Sequence, residues 1–266
     1  MMTEEMVRRL LNTDPIWAAY GIADLQPHLA GDCRWLAAEG TNGADGRADG
    51  GALALIYSGL EPPVLLTLGD PAALAQLLAE ADLPLHIYVS IRQEHLPVVA
   101  RHYDLSGDTR PMWRMVLADG GAALNQARAD APVPTRLTGA QAPDVLRLLA
   151  HGGPFRPDAF SPAQMDQGVF YGIYGGGELL AVGGTHVLDH AGSVAAIGNM
   201  YTRPDMRRRG CSAAVLRAVV RDLLAQGIAT VVLNVDQRNP GAQALYLARG
   251  FVVHTPYIEG TGARHA

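Results

Sequence analysis

The chain has 266 residues, a formal net charge of −5 and 48% hydrophobic residues, enough to bury one large core or two modest ones. The lack of a basic excess argues against a general nucleic-acid binder, and no apolar run of about eighteen residues is present to span a membrane. All 21 basic residues are arginine, so no lysine is available as a Schiff-base or general-base group.

In chain order, EEMVRRLL (residues 4–11) and PIWAAYGIADL (15–25) predict helices, and CRWLAAEG (33–40) a strand. TNGADGRADGG (41–51) is a turn-rich connection, followed by a strand pair, ALALIYSG (52–59) and PVLLTLG (63–69). Asp70 is placed to cap a helix over 71–81, with Pro71 at its first position. LHIYVS (85–90) is a strand. Pro97 breaks any helix in IRQEHLPVVARHY. PMWRMVLADG (111–120) is the last strand of this half, and GGAALNQARADAPVP (120–134) reads as a spacer, with a boundary between domains at 130/131.

The second half is better signposted. A strand over 133–138 leads to a helix over 142–151 with Val145, Leu146, Leu148 and Leu149 on one side, and to a short helix in SPAQMDQG (161–168) capped by Ser161. Strands over 169–174 and 179–188 join through a glycine hairpin at 175–177. A tight turn at 189–192 precedes a third strand, 193–201. After Gly210, Val215, Leu216, Val219, Val220, Leu223 and Leu224 form one apolar helical stripe that Gly227 ends. TVVLNV (230–235) has the unbroken apolar character of a strand covered on both faces. Asn239 and Pro240 start a helix that stops at Gly250, and FVVHTPYI (251–258) is the final strand. The resulting order is strand, helix, helix, three strands, helix, strand, helix, strand.

TRPDMRRRGCSAAVL (202–216) places three arginines where a turn becomes a helix. An arginine there opposes the helix dipole by about 0.3–1 kcal/mol, so clustering three is mildly unfavourable without an anion. The helix start itself offers free backbone amides, Gly210 lets backbone approach a ligand, and Arg207, Arg208 and Arg209 add bidentate forks. A nucleotide pyrophosphate suits this site; a solvated basic turn is the plain alternative. The Walker phosphate loop and the dinucleotide fingerprint are both absent.

Arg207-x-x-Gly210-x-Ser212 resembles the [Q/R]-x-x-G-x-[G/A] signature of the GNAT superfamily of N-acetyltransferases, with Ser212 where glycine or alanine is usual. NVDQRNPGAQALYLARGF (234–251) resembles a second segment of that family through Asn239, Ala242, Leu245, Tyr246, Gly250 and Phe251. The resemblance covers residues 133 to 266 and implies a mixed, mostly antiparallel twisted sheet flanked by helices, the acyl-CoA N-acyltransferase fold. The first half is similar to the degenerate domain of glycine N-acyltransferase-like proteins, which implies residues 1–130 as a degenerate acetyltransferase-like domain and 131–266 as the catalytic one. No second cofactor site is expected in the first.

The resemblance implies acetyl-CoA or another acyl-CoA as co-substrate and an amine, a small molecule, as acceptor, in direct attack. The cradle of Arg207, Arg208, Arg209, Gly210, Cys211 and Ser212 would hold the pyrophosphate. Main chain at Met200, Tyr201 and Thr202, splayed from the strand over 230–235, would pair with the pantetheine arm, and the Met200 amide would polarise the thioester carbonyl. Asn239 would contact the arm, and Tyr246 would protonate the departing thiolate. The strand over 193–201 has no acid where family members often carry a glutamate, so His186 is the first candidate base, with Asp189 beside it and His254 and Glu178 weaker. Cys211 is a small cradle residue rather than a nucleophile, its thiol expected to be acidified by the helix start and the arginines.

A non-catalytic acyl-CoA-binding regulatory module is the alternative to an enzyme, and a peptide acceptor the alternative to a small one. Two distant cysteines, Cys33 and Cys211, make neither a disulfide framework nor a metal site, and no metal is expected. The acid-bearing N-terminus lacks a signal-peptide core, so a cytoplasmic monomer or homodimer is expected.

Overall fold

In the computed structural model, which describes residues 3–40, 50–125 and 131–265, the chain runs through α1 (Glu4–Leu11), α2 (Ala19–Ala23), β1 (Cys33–Ala38), β2 (Ala52–Tyr57), β3 (Val64–Gly69), α3 (Pro71–Glu80), β4 (His86–Arg92), α4 (Leu96–Val99), β5 (Tyr103–Asp104) and β6 (Thr109–Leu117). It continues through β7 (Thr135–Leu137), α5 (Ala142–Leu149), α6 (Ala163–Gln167), β8 (Phe170–Gly175), β9 (Glu178–Asp189), β10 (Val194–Thr202), α7 (Cys211–Ala225), β11 (Thr230–Asp236), α8 (Pro240–Leu247) and β12 (Phe251–Arg264). Among the described residues no helix is long and apolar enough to cross a membrane. Most of the connection at 41–51 and residues 126–130 of the spacer lie outside the described residues.

Two compact units result, and a single cut at 130/131 does not separate them. One holds Met1–Trp113 with Thr255–Ala266, the other Arg114–His254. The chain passes from unit to unit inside β6 and β12. Each unit is a mixed, mostly antiparallel twisted sheet flanked by helices.

In the first unit β1, β2 and β3 pair antiparallel, β3 and β4 pair parallel with α3 as the crossover, and β12 closes antiparallel on β4. Asp70 caps α3 by accepting from the amides of Ala72 at 2.9 Å and Ala73 at 2.8 Å, and Pro71 supplies the pre-set first turn. Leu74 and Leu78 then bury against Ala54, Ile56, Val89 and Ile91. The helix predicted over 15–25 shrinks to α2, because the Asp14 carboxylate takes the Trp17 amide at 3.0 Å and the indole Nε1–H donates to the Thr67 carbonyl at 2.7 Å. Burial of Trp17 sets that segment's path over its helix propensity. His95 is also fully buried: its Nε2 meets the Gly69 carbonyl at 2.9 Å and Nδ1 meets the Thr67 hydroxyl at 2.8 Å.

At the end of α2, burial pushes the Asp24 carboxyl up to about 7. Burial, then the charges of Asp24 and Asp32, push the Cys33 thiol up to about 12. The unfolded Asp24 carboxyl ionises near 4, so the folded chain binds that proton more tightly and loses stability as pH climbs from about 4 through 7. Asp24→Asn is expected to melt higher than the wild type at about pH 8 and to show a smaller fall in Tm between about pH 5 and 8. Thermal melts across that range check it; parallel curves for the two proteins would refute it.

In the second unit β7, β8, β9 and β10 form an antiparallel run, and β10 and β11 pair parallel with α7 as the crossover. The element order matches the expectation from the sequence. Val215, Leu216, Val219, Val220 and Leu223 of α7 are buried, as are Val231, Val232 and Leu233 of β11. A separate cluster gathers Leu137, Val145, Leu148, Leu149, Met165, Phe170, Val182 and Tyr201. Burying each such side chain contributes roughly 1.5–3 kcal/mol. The ring of Phe170 lies against Gly184, where any Cβ would collide with it. Two boundaries move. Pro162, not Ser161, stands at the start of α6, since the Gln164 side chain reaches back to the Ser161 amide at 3.1 Å. β12 runs on to Arg264 because β4 pairs it through Ala263.

Candidate active site

The site is built on β10. Its pairing with β11 runs from Val194↔Thr230 to Ile197↔Leu233 and stops there. Residues 198–202 and 234–236 continue as strand without pairing one another, so the strands part along this stretch. On the other edge, β9 pairs with β10 through two irregularities. At the first, His186 is the extra residue between Val187, opposite Ala196, and Thr185, opposite Ile197; its ring covers Gly198. At the second, Asn199 and Met200 together face Gly183, and Asn199 takes φ 55°. Bulges of this kind re-aim side chains. The glycines make room: a Cβ at Gly183 would collide with the Met200 side chain and come within 2.9 Å of Val215 Cγ1.

β10 ends at Thr202, and residues 203–210 turn the chain into α7. Gly210 stands at the helix start with φ 81° and, having no side chain, caps nothing. The first helical bond runs from the Ala214 amide to the Gly210 carbonyl at 3.0 Å, which leaves the Cys211, Ser212 and Ala213 amides as open donors. A Cβ at Gly210 would meet nothing within 4 Å, so the chain leaves room beside the helix start. The turn is braced from below: Thr202 Oγ1 and Ser212 Oγ are 2.8 Å apart, and Arg207 Nε donates to the Thr202 carbonyl at 3.3 Å. Arg203 is held by Glu178 at 2.6 Å and Asp205 at 2.7 Å, whereas Arg207, Arg208 and Arg209 are exposed and have no carboxylate in ion-pair reach among the described residues. Exposed positive charge and open amides therefore occur together on one turn, which fits a diphosphate.

Cys211 corrects the expectation of an acidified thiol. It is 2% exposed, and burial pushes its pKa up; the Arg209 charge opposes this without overcoming it. Tyr201, whose main chain borders the gap, is buried, and its hydroxyl donates to the Gly152 carbonyl at 2.8 Å.

Across the gap, α8 starts at Asn239, whose Oδ1 accepts from the Ala242 amide at 3.1 Å, and is followed by Gly250 at φ 85°. Tyr246 is 6% exposed and edge-on to Phe251 with ring centroids 6.1 Å apart. Its hydroxyl makes no hydrogen bond among the described residues, and burial raises its pKa to about 12, so the phenol keeps its proton throughout the neutral range.

Two of the base candidates, Asp189 and the weaker Glu178, are engaged elsewhere. The Asp189 carboxylate accepts from the Ala191 amide at 3.1 Å and the Gly192 amide at 2.9 Å, which makes it the keystone of its turn. Glu178 pairs with Arg203. His186 sits against Gly198, at the point where the strands part, and His254 lies on β12. Sequence reading missed Asn199 and Gln164, which join at 3.0 Å beside the second irregularity of β10. The available signal was Gly-Asn within an apolar strand, a pattern that marks bulges.

A sequence model of the Acetyltransferase (GNAT) family matches residues 145–251. The mycothiol acetyltransferase of Paenarthrobacter aurescens is 29% identical over 163 residues, covering 55% of this chain; the chain spans 50% of that relative's length. The [ribosomal protein bS18]-alanine N-acetyltransferase of Escherichia coli K12 is 31% identical over 107 residues, which is 40% of this chain and 70% of the relative. The GCN5-related N-acetyltransferase structure from Kribbella flavida shares the fold at 15% identity, with a TM-score of 0.59, covering 93% of this chain and 96% of its own. With the family model over residues 145–251 and a 31% identical relative matched over 70% of its length, the chain belongs to the GNAT family of acetyltransferases.

Proposed function

We propose that this protein transfers an acetyl or other acyl group from acyl-CoA directly to the amine of a small-molecule acceptor. One observation carries the reading: an uncapped helix start, preceded by three exposed arginines without a carboxylate partner among the described residues, lies directly downstream of a strand edge that has parted from its neighbour. Acetyl-CoA, which GNAT acetyltransferases use as co-substrate, supplies an activated acyl thioester when bound. The amides of Cys211, Ser212 and Ala213 and the guanidinium groups of Arg207, Arg208 and Arg209 bind the diphosphate. Main chain at Met200, Tyr201 and Thr202 lies on the parted edge and pairs with the amide-bearing arm, and the Met200 N–H donates to the acyl carbonyl oxygen. Asn239, with Oδ1 committed to its cap, offers Nδ2 to the arm. Tyr246 Oη, kept protonated by burial, gives its proton to the leaving sulfur. His186 takes the proton released by the acceptor amine, directly or through water.

The first unit fits a degenerate copy of the second. Its β3–α3–β4 crossover repeats β10–α7–β11, but the Asp70 carboxylate already occupies the amides at the start of α3. An anion offered to that helix would meet a negative charge.

The reading is tested by calorimetry with CoA, and by thiol release from acetyl-CoA with glycinamide, 2-phenylethylamine, spermidine and glucosamine. CoA binding and thiol release with at least one amine are expected. Binding with no release from any of them would favour an acyl-CoA-binding regulatory module, and no binding would remove the reading.

A further inference from the structure

Asn199 is 3% exposed, yet it sits in the left-handed region at φ 55° in the middle of a strand. Asparagine tolerates that conformation better than most residues, but it still carries a local cost. Its carboxamide has a second peculiarity. Nδ2 donates to Gln164 Oε1 at 3.0 Å, while Oδ1 is buried and meets no donor among the described residues.

Exchanging the two ends of the amide would not remove that orphan. Gln164 is itself locked by its neighbours: Nε2 donates to the Ala159 carbonyl at 3.1 Å, and Oε1 accepts from the Ser161 amide at 3.1 Å. Gln164 can therefore present only an acceptor to Asn199, which must answer with Nδ2. The chain of three hydrogen bonds fixes which atom is left over, and it is the acceptor Oδ1. An unmet buried acceptor costs roughly 1–3 kcal/mol, so its persistence calls for an explanation, and a catalytic role is one.

Position completes the argument. Asn199 is the second residue of the stretch of β10 that no longer pairs with β11, and it follows Gly198, against which the His186 ring rests. An amine attacking an acyl group held on this edge brings N–H bonds to this part of β10. An oxygen that can only accept matches a primary amine, which has one N–H to donate to it and a second to surrender as a proton after its lone pair attacks; a secondary amine has only one N–H for both.

We infer that Asn199 Oδ1 accepts a hydrogen bond from the N–H of the acceptor amine and orients its lone pair toward the acyl carbon, with Gln164 holding the carboxamide in the required sense. Asn199 is a substrate-positioning residue, since a neutral amide takes no proton in the reaction. The role rests on the acyl-transfer reading above and selects primary amines within it. Oδ1 is enclosed in the structure described, so a local movement around it must admit the amine.

The test is Asn199→Gly, which removes the carboxamide while accepting the positive φ without strain. Steady-state kinetics use whichever of glycinamide, 2-phenylethylamine, spermidine or glucosamine the wild type acetylates. The KM for that amine is expected to rise about tenfold or more, with the KM for acetyl-CoA and the Kd for CoA within about twofold of wild type and Tm not lowered. Gln164→Ala, which leaves Asn199 present but free to turn, is expected to raise the amine KM by a smaller factor. An unchanged amine KM in Asn199→Gly, or both KM values rising together with a lowered Tm, would overturn the inference and leave acyl transfer standing. Absence of turnover by the wild type with all four amines would overturn both.

Discussion

Tyr246→Phe is expected to lower kcat by about a hundredfold or more while leaving the Kd for CoA within about twofold. The substitution removes one oxygen from a side chain whose ring is packed edge-on to Phe251, so the packing survives. It leaves no orphaned partner either, because the hydroxyl makes no hydrogen bond among the described residues. A proton donor positioned at a leaving group typically contributes 10²–10⁴-fold in rate, which sets the size of the effect. Burial also works in favour of the role, since a phenol held up to about 12 is fully protonated at neutral pH. Pre-steady-state thiol release and calorimetry separate the two quantities. A variant with wild-type kcat would remove Tyr246 from the chemistry, and one with weakened CoA binding alone would make it a wall residue.

Gly210→Val is the second large effect, and it falls on the other parameter. A Cβ at this position touches no protein atom within 4 Å, so crowding inside the chain contributes nothing. Two other penalties apply. A β-branched residue at φ 81° costs about 1–3 kcal/mol of strain, and the added methyls fill room beside the helix start that is otherwise open. The expected result is a KM for acetyl-CoA raised tenfold or more, CoA binding lost or greatly weakened in calorimetry, and kcat at saturation changed far less. Undiminished CoA binding in a folded variant would show that the helix start is not where the diphosphate sits.

How far the sequence foretold these features depended on what kind of interaction made them. The order of elements in the second unit was legible because helix stripes such as Val215–Leu223 have strong periodicity and because Gly227 and Gly250 take the positive φ that ends a helix. The start of α3 was legible for a similar local reason, Asp70 followed by Pro71. What was hidden depended on partners distant in sequence. The tail of β12, GTGAR, has no strand signal of its own and is extended because β4 pairs it. The stretch at 15–25 carries helix formers, yet a bond from Trp17 to Thr67 decides its path. In the site, the turn with its arginines and the capping role of Asn239 were visible in spacing. The rise of the Cys211 thiol was not, because desolvation depends on what covers a residue, and adjacent arginines gave the opposite hint. Gly-Asn within an apolar strand could signal the bulge at Asn199 but not its significance, which lies in an atom left over after Gln164, Ala159 and Ser161 have been satisfied.

The widening between β10 and β11 also acts as a gauge. Paired strands stand about 4.8 Å apart, and here that spacing holds only up to the Ile197–Leu233 pair. A guest entering from the α7 end meets a slot that narrows until it is no wider than one hydrogen bond, so a helix or a folded peptide is too thick to advance. A slender thread dotted with carbonyl and N–H groups can slide inward, bonding as it goes, and it must halt where the two chains meet. The depth of that halt, and with it the place where the thread's tip comes to rest, is written into the backbone register rather than into any side chain.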